Sequence, residues 1–228
     1  MNSLINIPLK KEEIMQALQK ALQNKLIDNL RDRHPNVSLD SKLRGYIGEY
    51  AFLKWAKEYD IYFKSTNKID NTSGMDIDLL FQGQNTKLQI ELKTSLIPDA
   101  DETLEEFMNK RDIKIIQRGN QTIEEIKGDI HVQLAFKQLR IRKDEWLKKQ
   151  PINLNTTIEE IYHKIAAYRY QNDTFIIAWI DKPTLIKQLK QKPSHLQKWK
   201  YGQRSFWSCN LSKDAKKPIE LIKFLNKL

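Results

Sequence analysis

The chain lacks the residues on which several common kinds of protein depend. It has one cysteine, Cys209, among 228 residues. It can therefore form no internal disulfide and no cysteine-rich metal site. This cysteine usage is compatible with the reducing cytoplasm, where we expect the protein to work. The sequence also contains no classical Ser-His-Asp set, no P-loop and no Cys/His zinc spacing. We find no internal repeat and no low-complexity segment.

Long apolar runs are missing as well. No stretch approaches the roughly 18 consecutive apolar residues of a membrane-spanning helix. The first residues lack the basic region and long apolar run of a signal peptide. We therefore expect no membrane partner.

What the chain does contain suits a globular domain. Its residues are 40% hydrophobic and 30% charged, which supports a buried core beneath a charged surface. We expect residues 1–228 to form a single domain. It would comprise an N-terminal helical element (1–38), a core (39–181) and a basic C-terminal region (182–228).

The positive charge of the protein is concentrated at one end. The net charge is +10, and residues 182–228 hold 12 Lys or Arg residues against 2 acidic ones, so the rest of the chain is neutral. Clustered basic residues favour contact with phosphates and release counterions from nucleic acid. An ordinary solvated basic face is the alternative.

Residues 74–95 carry the most informative pattern. Two segments alternate apolar and polar residues, and a Gln-Gly-Gln-Asn turn separates them, which predicts a β-hairpin. Side chains alternate faces along a strand. Asp76 and Asp78 therefore share one face of the first strand, while Glu91 and Lys93 share one face of the second. Pairing the apolar faces brings these charged side chains to the same side.

Such a cluster needs a chemical reason. Converging carboxylates repel one another, and a divalent cation removes the repulsion. Oxygen ligands suit Mg²⁺ or Mn²⁺, and Lys93 could hold or deprotonate a water beside the metal. The alternative is the ordinary charged outer face of a hairpin. The bare pattern acid-x-Lys is weak evidence, because it starts at five positions: Asp40, Glu91, Asp112, Glu125 and Asp214.

Three stretches together resemble a known group of enzymes. Gly48-Glu49-Tyr50-Ala51 on a helix, Asp76-Ile77-Asp78-Leu79 and Glu91-Leu92-Lys93 are similar to motifs of the PD-(D/E)XK nuclease superfamily, over about residues 40–136. The resemblance implies a restriction-endonuclease-like mixed sheet flanked by helices, and Mg²⁺-dependent cleavage of DNA. The stretch that contains Asp76 departs from the usual Pro-Asp of these enzymes, because the residue before Asp76 is Met75 and not proline.

The resemblance also implies roles for individual residues. Asp78 or Asp76 and Glu91 would bind the metal, Lys93 would activate water, and Glu49 would be an auxiliary acid. Asp78 is favoured slightly, since a tight hairpin can bring it opposite Glu91. For Glu49, a salt bridge to a neighbouring lysine is the alternative.

Candidate nucleic-acid contacts come from two basic segments. Residues 198–207 interleave basic and aromatic residues, a mixture that can grip phosphates and stack on bases. Phe206 and Trp207 could instead lie on a core strand that runs to Cys209. The candidates for DNA contact are Lys198, Lys200, Arg204, Arg140 and Arg142.

The remaining elements alternate between helix and strand. We expect helices over 10–33, 39–58 (capped by Ser38, Asp40 or Ser41), 103–114, 157–170 and from about 214, and a helical run around Glu125. Thr156 or Thr157 with Glu159 or Glu160 would form a capping box at the start of the helix over 157–170. Asp181 would cap a further helix that follows the strand over 174–180. We expect strands over 60–64, 129–136 and 174–180. A short strand over 113–116, in place of the end of the helix over 103–114, is left open as an alternative. His131 and Gln133 share a face that could reach the site, and a structural role is the alternative for a lone histidine on a strand. The pattern predicts an α/β fold, or α+β on a strict count.

These observations lead to three hypotheses. The first is a Mg²⁺-dependent endonuclease acting on double-stranded DNA, such as a type II restriction enzyme of a restriction-modification system or a related defence nuclease. The second is a structure-selective repair or Holliday-junction nuclease. The third is an inactive nucleic-acid-binding protein on the same fold. A homodimer would suit cleavage of both strands of a palindrome.

Overall fold

The computed structural model describes residues 4–23, 33–65, 79–83, 86–97, 103–117, 119–137, 143–166, 174–191, 196–198 and 205–228. The strands are β1 (Ile5–Asn6), β2 (Phe63–Ser65), β3 (Leu79–Gln82), β4 (Lys87–Ile97), β5 (Asp112–Ile116), β6 (Ile130–Lys137), β7 (Thr174–Asp181), β8 (Leu196–Lys198) and β9 (Ser205–Asn210). The helices are α1 (Lys11–Gln23), α2 (Pro35–Lys57), α3 (Leu104–Lys110), α4 (Lys143–Lys148), α5 (Ile158–Ile161), α6 (Lys182–Gln191) and α7 (Pro218–Leu225).

The larger sheet has six strands in the order β1-β7-β6-β4-β3-β2. Only β4 and β6 pair in parallel, and the other neighbours are antiparallel. The predicted α/β fold, a mixed sheet flanked by helices, is confirmed. The predicted strand at 129–136 is confirmed as β6, the neighbour of the hairpin strand β4. Strand β7 lies between β6 and β1, and its almost wholly apolar sequence is buried because its side chains join the cores on both faces of the sheet.

One face of this sheet is covered by helices. Helices α1, α2 and α7 contribute buried side chains to a large core together with apolar residues of β3, β4 and β6. Gly48 of α2 lies so close to the sheet that an added Cβ would be 2.6 Å from Cγ2 of Thr94. Helix α2 therefore packs on the face of β4 that carries Leu92 and Thr94.

A second, three-stranded sheet in the order β5-β9-β8 was not expected from the sequence. Its buried residues Ile113, Trp207 and Cys209 form a smaller core with α3, α6 and the second face of the larger sheet. Most of β9 is buried, so the alternative of a core strand through Phe206 and Trp207 is the correct one. The basic C-terminal region thus builds part of a sheet.

Several helix boundaries differ from those expected. Helix α2 starts at Pro35, not near 39, because proline suits the first turn and the Nδ1 atom of His34 accepts from the Asn36 N–H at 3.3 Å. Helix α3 ends at Lys110, and β5 follows, so the open alternative of a strand at 113–116 holds. The segment around Glu125 forms turns, so the expected helix there is wrong.

The last helix begins later than expected, and two predicted side-chain caps are confirmed. The helix expected over 157–170 is α5 followed by a π-helical turn over Tyr162–Ala166, and the last helix begins at Pro218. The capping box of Thr157 and Glu160 is present. Asp181 caps α6 by accepting from the Thr184 N–H at 2.9 Å. None of the described helices is both long and apolar enough to cross a membrane.

Candidate active site

The predicted hairpin of β3 and β4 is present. Leu79 pairs with Ile90, and Phe81 pairs with Leu88, so the apolar side chains share the face that joins the large core. Glu91 and Lys93 consequently lie on the opposite face of β4. Asp76 and Asp78 lie outside the described residues. The described part of β3 begins at Leu79, one residue after Asp78, and pairs there with Ile90, one residue before Glu91.

The other neighbour of β4 supplies two more polar side chains. In the parallel pairing with β6, Glu91 is opposite His131, and Lys93 is opposite Gln133. All four residues lie on one face of the sheet, because the residues between them join the large core. His131 and Gln133 therefore share the face that carries Glu91 and Lys93. Their contact with this pair follows from strand order, which the local pattern does not reveal.

Glu91 is the centre of the cluster. It is buried, with 8% of its surface exposed. Its Oε1 accepts from Lys93 Nζ, and its Oε2 lies 2.8 Å from His131 Nδ1. Burial by itself would raise the pKa of the Glu91 carboxyl group, but the charge of Lys93 and the contact with His131 outweigh it and lower the pKa to about 2. Glu91 is therefore ionised at neutral pH.

Gln133 holds the strand that carries Lys93. Its Nε2 donates to the backbone oxygen of Lys93 at 3.0 Å and to Oγ of Ser95 at 3.1 Å. The amide group of Gln133 is buried, so these bonds satisfy a polar group that would otherwise be costly. The bond to the Lys93 oxygen thereby ties the backbone of Lys93 to the neighbouring strand β6.

The approach to β6 is equally constrained. Gly128 has φ of +80°, a conformation that other residues rarely adopt. Asp129 then pairs with Gln89: its N–H donates to the Gln89 oxygen at 2.8 Å, and its Oδ2 accepts from the Gln89 N–H at 2.7 Å. The backbone oxygen of Asp129 accepts from the Lys182 N–H at 2.8 Å. These bonds set the start of β6 against β4, which places His131 beside Glu91.

Glu49, the expected auxiliary acid, is buried on α2 with 4% of its surface exposed. The preceding residue, Gly48, faces Thr94. Helix α2 thus covers the face of β4 opposite to the face that carries Glu91 and Lys93. Glu91 and Lys93 are in contact with each other. Glu49 lies on helix α2, which covers the opposite face of β4.

The expected nucleic-acid contacts lie almost entirely beyond the described part of the chain. Lys200, Arg204, Arg140 and Arg142 lie outside the described residues, and Lys198 is on β8. Within the same small sheet, Lys114 Nζ lies 4.8 Å from the centre of the Phe206 ring. This is the distance of a cation–π contact.

The described residues do not supply a complete set of ligands for a metal ion. No group of three His, Cys, Asp or Glu side chains there could hold a metal. Glu91 offers one ionised carboxylate, a hard oxygen ligand that suits Mg²⁺ or Mn²⁺. This donor fits a divalent cation if a second carboxylate comes from the segment before β3, which contains Asp76 and Asp78.

No protein-family model, curated protein or solved structure matches the chain.

Proposed function

We propose that the protein is a Mg²⁺-dependent endodeoxyribonuclease that hydrolyses phosphodiester bonds, and that it acts as a type II restriction enzyme or a related defence nuclease. The observation that carries the proposal is the pair of Glu91 and Lys93 on one face of β4. This strand pairs with β3, whose described part starts directly after Asp78. An acid directly before β3 in the sequence, together with Glu91 and Lys93 on the adjacent strand β4, is the pattern that resembles the PD-(D/E)XK nucleases.

The roles follow from charge and position. Glu91 and Asp78, or Asp76 in its place, would hold a Mg²⁺ ion, with Mn²⁺ as a substitute. The bound ion supplies charge that polarises the phosphate and lowers the pKa of a water. Lys93, which contacts Glu91, would orient or deprotonate the attacking water. The resemblance implies products with a 5′-phosphate and a 3′-hydroxyl. Glu49 remains a candidate auxiliary acid through that resemblance alone.

Double-stranded DNA is the substrate that we infer. The net charge of +10 and its concentration in residues 182–228 favour a polyanionic partner. Lys198, Lys200, Arg204, Arg140 and Arg142 are the proposed DNA contacts. We place the enzyme in the cytoplasm, in agreement with its single cysteine. We also propose a homodimer, which matches the symmetry of a palindromic site.

Two other functions are kept as alternatives. A structure-selective repair or Holliday-junction nuclease would use the same residues on branched DNA. An inactive nucleic-acid-binding protein would have little use for an ionised, buried glutamate beside a lysine.

A cleavage assay tests the proposal. Supercoiled plasmid and a long linear DNA of known sequence are incubated with the protein and Mg²⁺, alongside EDTA and a Lys93→Ala variant. Discrete bands that vanish in both controls would support a sequence-specific endonuclease. A smear or nicking with the same dependence would favour the structure-selective alternative, and branched substrates would follow. Absence of cleavage with DNA binding intact would refute the enzyme, and calorimetry with Mn²⁺ would then be expected to show no binding.

A further inference from the structure

His131 is the buried ionisable group for which the proposed chemistry has no use. Its imidazole has no exposed surface, and β6 holds it between Glu91 on β4 and Ile180 on β7. Gly128 closes one side of the ring, since a Cβ there would lie 3.4 Å from Cε1 and 3.8 Å from Nε2. A polar ring in such a place costs free energy unless it makes a useful contact.

Within the described residues, Glu91 is the charged residue that contacts this ring. Nδ1 lies 2.8 Å from Oε2 of that carboxylate, which is hydrogen-bonding distance, although the direction is imperfect. Neither Nδ1 nor Nε2 makes a hydrogen bond of regular geometry within the described residues. A lone pair on Nδ1 would face a carboxylate oxygen and be repelled, so the proton belongs on Nδ1. A second proton on Nε2 would be a buried donor without a partner.

The two oxygens of Glu91 thus have different neighbours. Oε2 is turned towards the fully buried ring, whereas Oε1 is turned towards Lys93, whose side chain is 20% exposed. A carboxylate held at one oxygen cannot rotate freely, so the other oxygen keeps its direction. Groups that hold a metal-binding side chain in this way contribute strongly to metal affinity.

We propose that His131 is a positioning residue: its Nδ1–H donates to Oε2 of Glu91 and keeps Oε1 directed to Lys93 and to a bound divalent cation. The part that concerns the cation rests on the proposed function. The part that concerns the hydrogen bond stands on the geometry alone, and the two parts are tested separately.

The first measurement reads the tautomer directly. Nitrogen-15 NMR of the imidazole rings in the wild-type protein at neutral pH is expected to show His131 protonated at Nδ1 and unprotonated at Nε2. Glu91→Gln should shift the Nδ1 signal of His131 and leave that of the exposed His163 unchanged. Protonation at Nε2 with a bare Nδ1, or a His131 signal that ignores Glu91→Gln, would overturn the proposal.

The second measurement compares substitutions that replace one ring nitrogen at a time. The amide nitrogen of His131→Asn can lie near the position of Nδ1, and that of His131→Gln near the position of Nε2. We expect His131→Asn to bind Mn²⁺ within about 3-fold of wild type in calorimetry, while His131→Gln and His131→Leu bind about 10–100-fold more weakly. His163→Asn is the matched control and should bind normally. Thermal unfolding identifies any variant that fails to fold.

The possible results distinguish a failure of the positioning role of His131 from a failure of the proposed function. Equal Mn²⁺ affinity in all folded variants, or equal losses for His131→Asn and His131→Gln, would refute the positioning role. If the wild type binds no Mn²⁺, the proposed metal site is wrong, and the role of His131 towards a cation falls with it. The tautomer spectrum still decides whether the hydrogen bond to Glu91 exists.

Discussion

Two strands of this protein carry an acidic residue, an aliphatic residue and a lysine in succession, but they lie in different surroundings. Glu91-Leu92-Lys93 is on β4, an inner strand of the six-stranded sheet. Asp112-Ile113-Lys114 is on β5, at the end of the described order of the three-stranded sheet. In both strands the middle residue faces apolar neighbours and the charged residues share the other face.

The neighbours of the two charged pairs account for the difference. Glu91 is buried and contacts both Lys93 and His131, so its charge is held in place. Lys114 is exposed and lies over the Phe206 ring, and Asp112 accepts from Nδ2 of Asn210 at 3.3 Å. The same three-residue pattern thus gives a fixed, partly desolvated pair only where strands flank it on both sides.

The largest expected difference is catalytic. Lys93→Ala should lower the rate of DNA cleavage about 10²–10⁴-fold, since that is the usual contribution of a group that moves a proton in the reaction. Lys114→Ala, the matched change on β5, should leave the rate within about 3-fold of wild type. Single-turnover cleavage of plasmid at saturating Mg²⁺ measures both. Similar losses in the two variants would show that the comparison has no catalytic meaning.

Lowering the pH should destabilise the fold through protonation of the buried Glu91 carboxylate. Its pKa is about 2 in the folded protein against an ordinary value of 4.5, so ionised Glu91 stabilises the fold above about pH 4.5. This stabilisation is lost as the pH falls towards 2. We expect the wild type to lose about 2 kcal/mol more stability than Glu91→Gln between pH 6 and pH 3.

Urea unfolding of both proteins at several pH values checks this prediction, with cleavage playing no part. If the two curves of unfolding free energy against pH ran parallel, Glu91 would not be held as the structure indicates.

The close packing of helix α2 on β4 can be tested on the face of β4 opposite to Glu91 and Lys93. Gly48→Ala should destabilise the protein by about 1–3 kcal/mol, because the new Cβ would lie 2.6 Å from Cγ2 of Thr94. Gly45→Ala on the same helix meets nothing within 4 Å. It should stabilise the protein by about 0.5–1 kcal/mol through the higher helix propensity of alanine.

Chemical unfolding gives both values, and Thr94→Ser supplies the control. Removing Cγ2 should recover most of the loss caused by Gly48→Ala in the double variant. If Gly48→Ala were as harmless as Gly45→Ala, helix α2 would not press on β4 as described.

The smallest effect is expected at the exposed lysine of β5. Lys114→Met removes the charge above the Phe206 ring but keeps most of the side-chain stem. It should cost about 0.5–1 kcal/mol, the usual value for an exposed cation–π contact. Lys213→Met, at another exposed lysine, is the control and should change stability by less. Equal values for the two lysines would show that the ring contributes nothing.

Much of this region was predictable from local sequence. The alternation in residues 74–95 predicts the hairpin and the face that carries Glu91 and Lys93, and the register of Leu79 with Ile90 agrees with it. The alternation around His131 predicts β6. Side-chain caps such as Thr157 and Asp181 were also visible, because a cap is a contact between residues close in sequence.

Other features were not predictable in this way. The expected start of α2 near residue 39 was wrong, because the helix begins at Pro35, a residue that suits the first turn. The three-stranded sheet joins β5 to β9 across about a hundred residues, and no local period signals such a pairing. Whether Asp76 or Asp78 is the second acid stays a prediction, because both lie outside the described residues.

The sequence by itself determined which side chains share a face, because the two-residue period of a strand is a local property. It did so for Glu91 with Lys93 and for His131 with Gln133. Only the tertiary structure decided that these two pairs meet. They lie 40 residues apart in sequence, and the parallel register of β4 and β6 depends on packing, on Gly128 and on the bonds of Asp129. That register is the physical reason why a buried histidine stands beside Glu91.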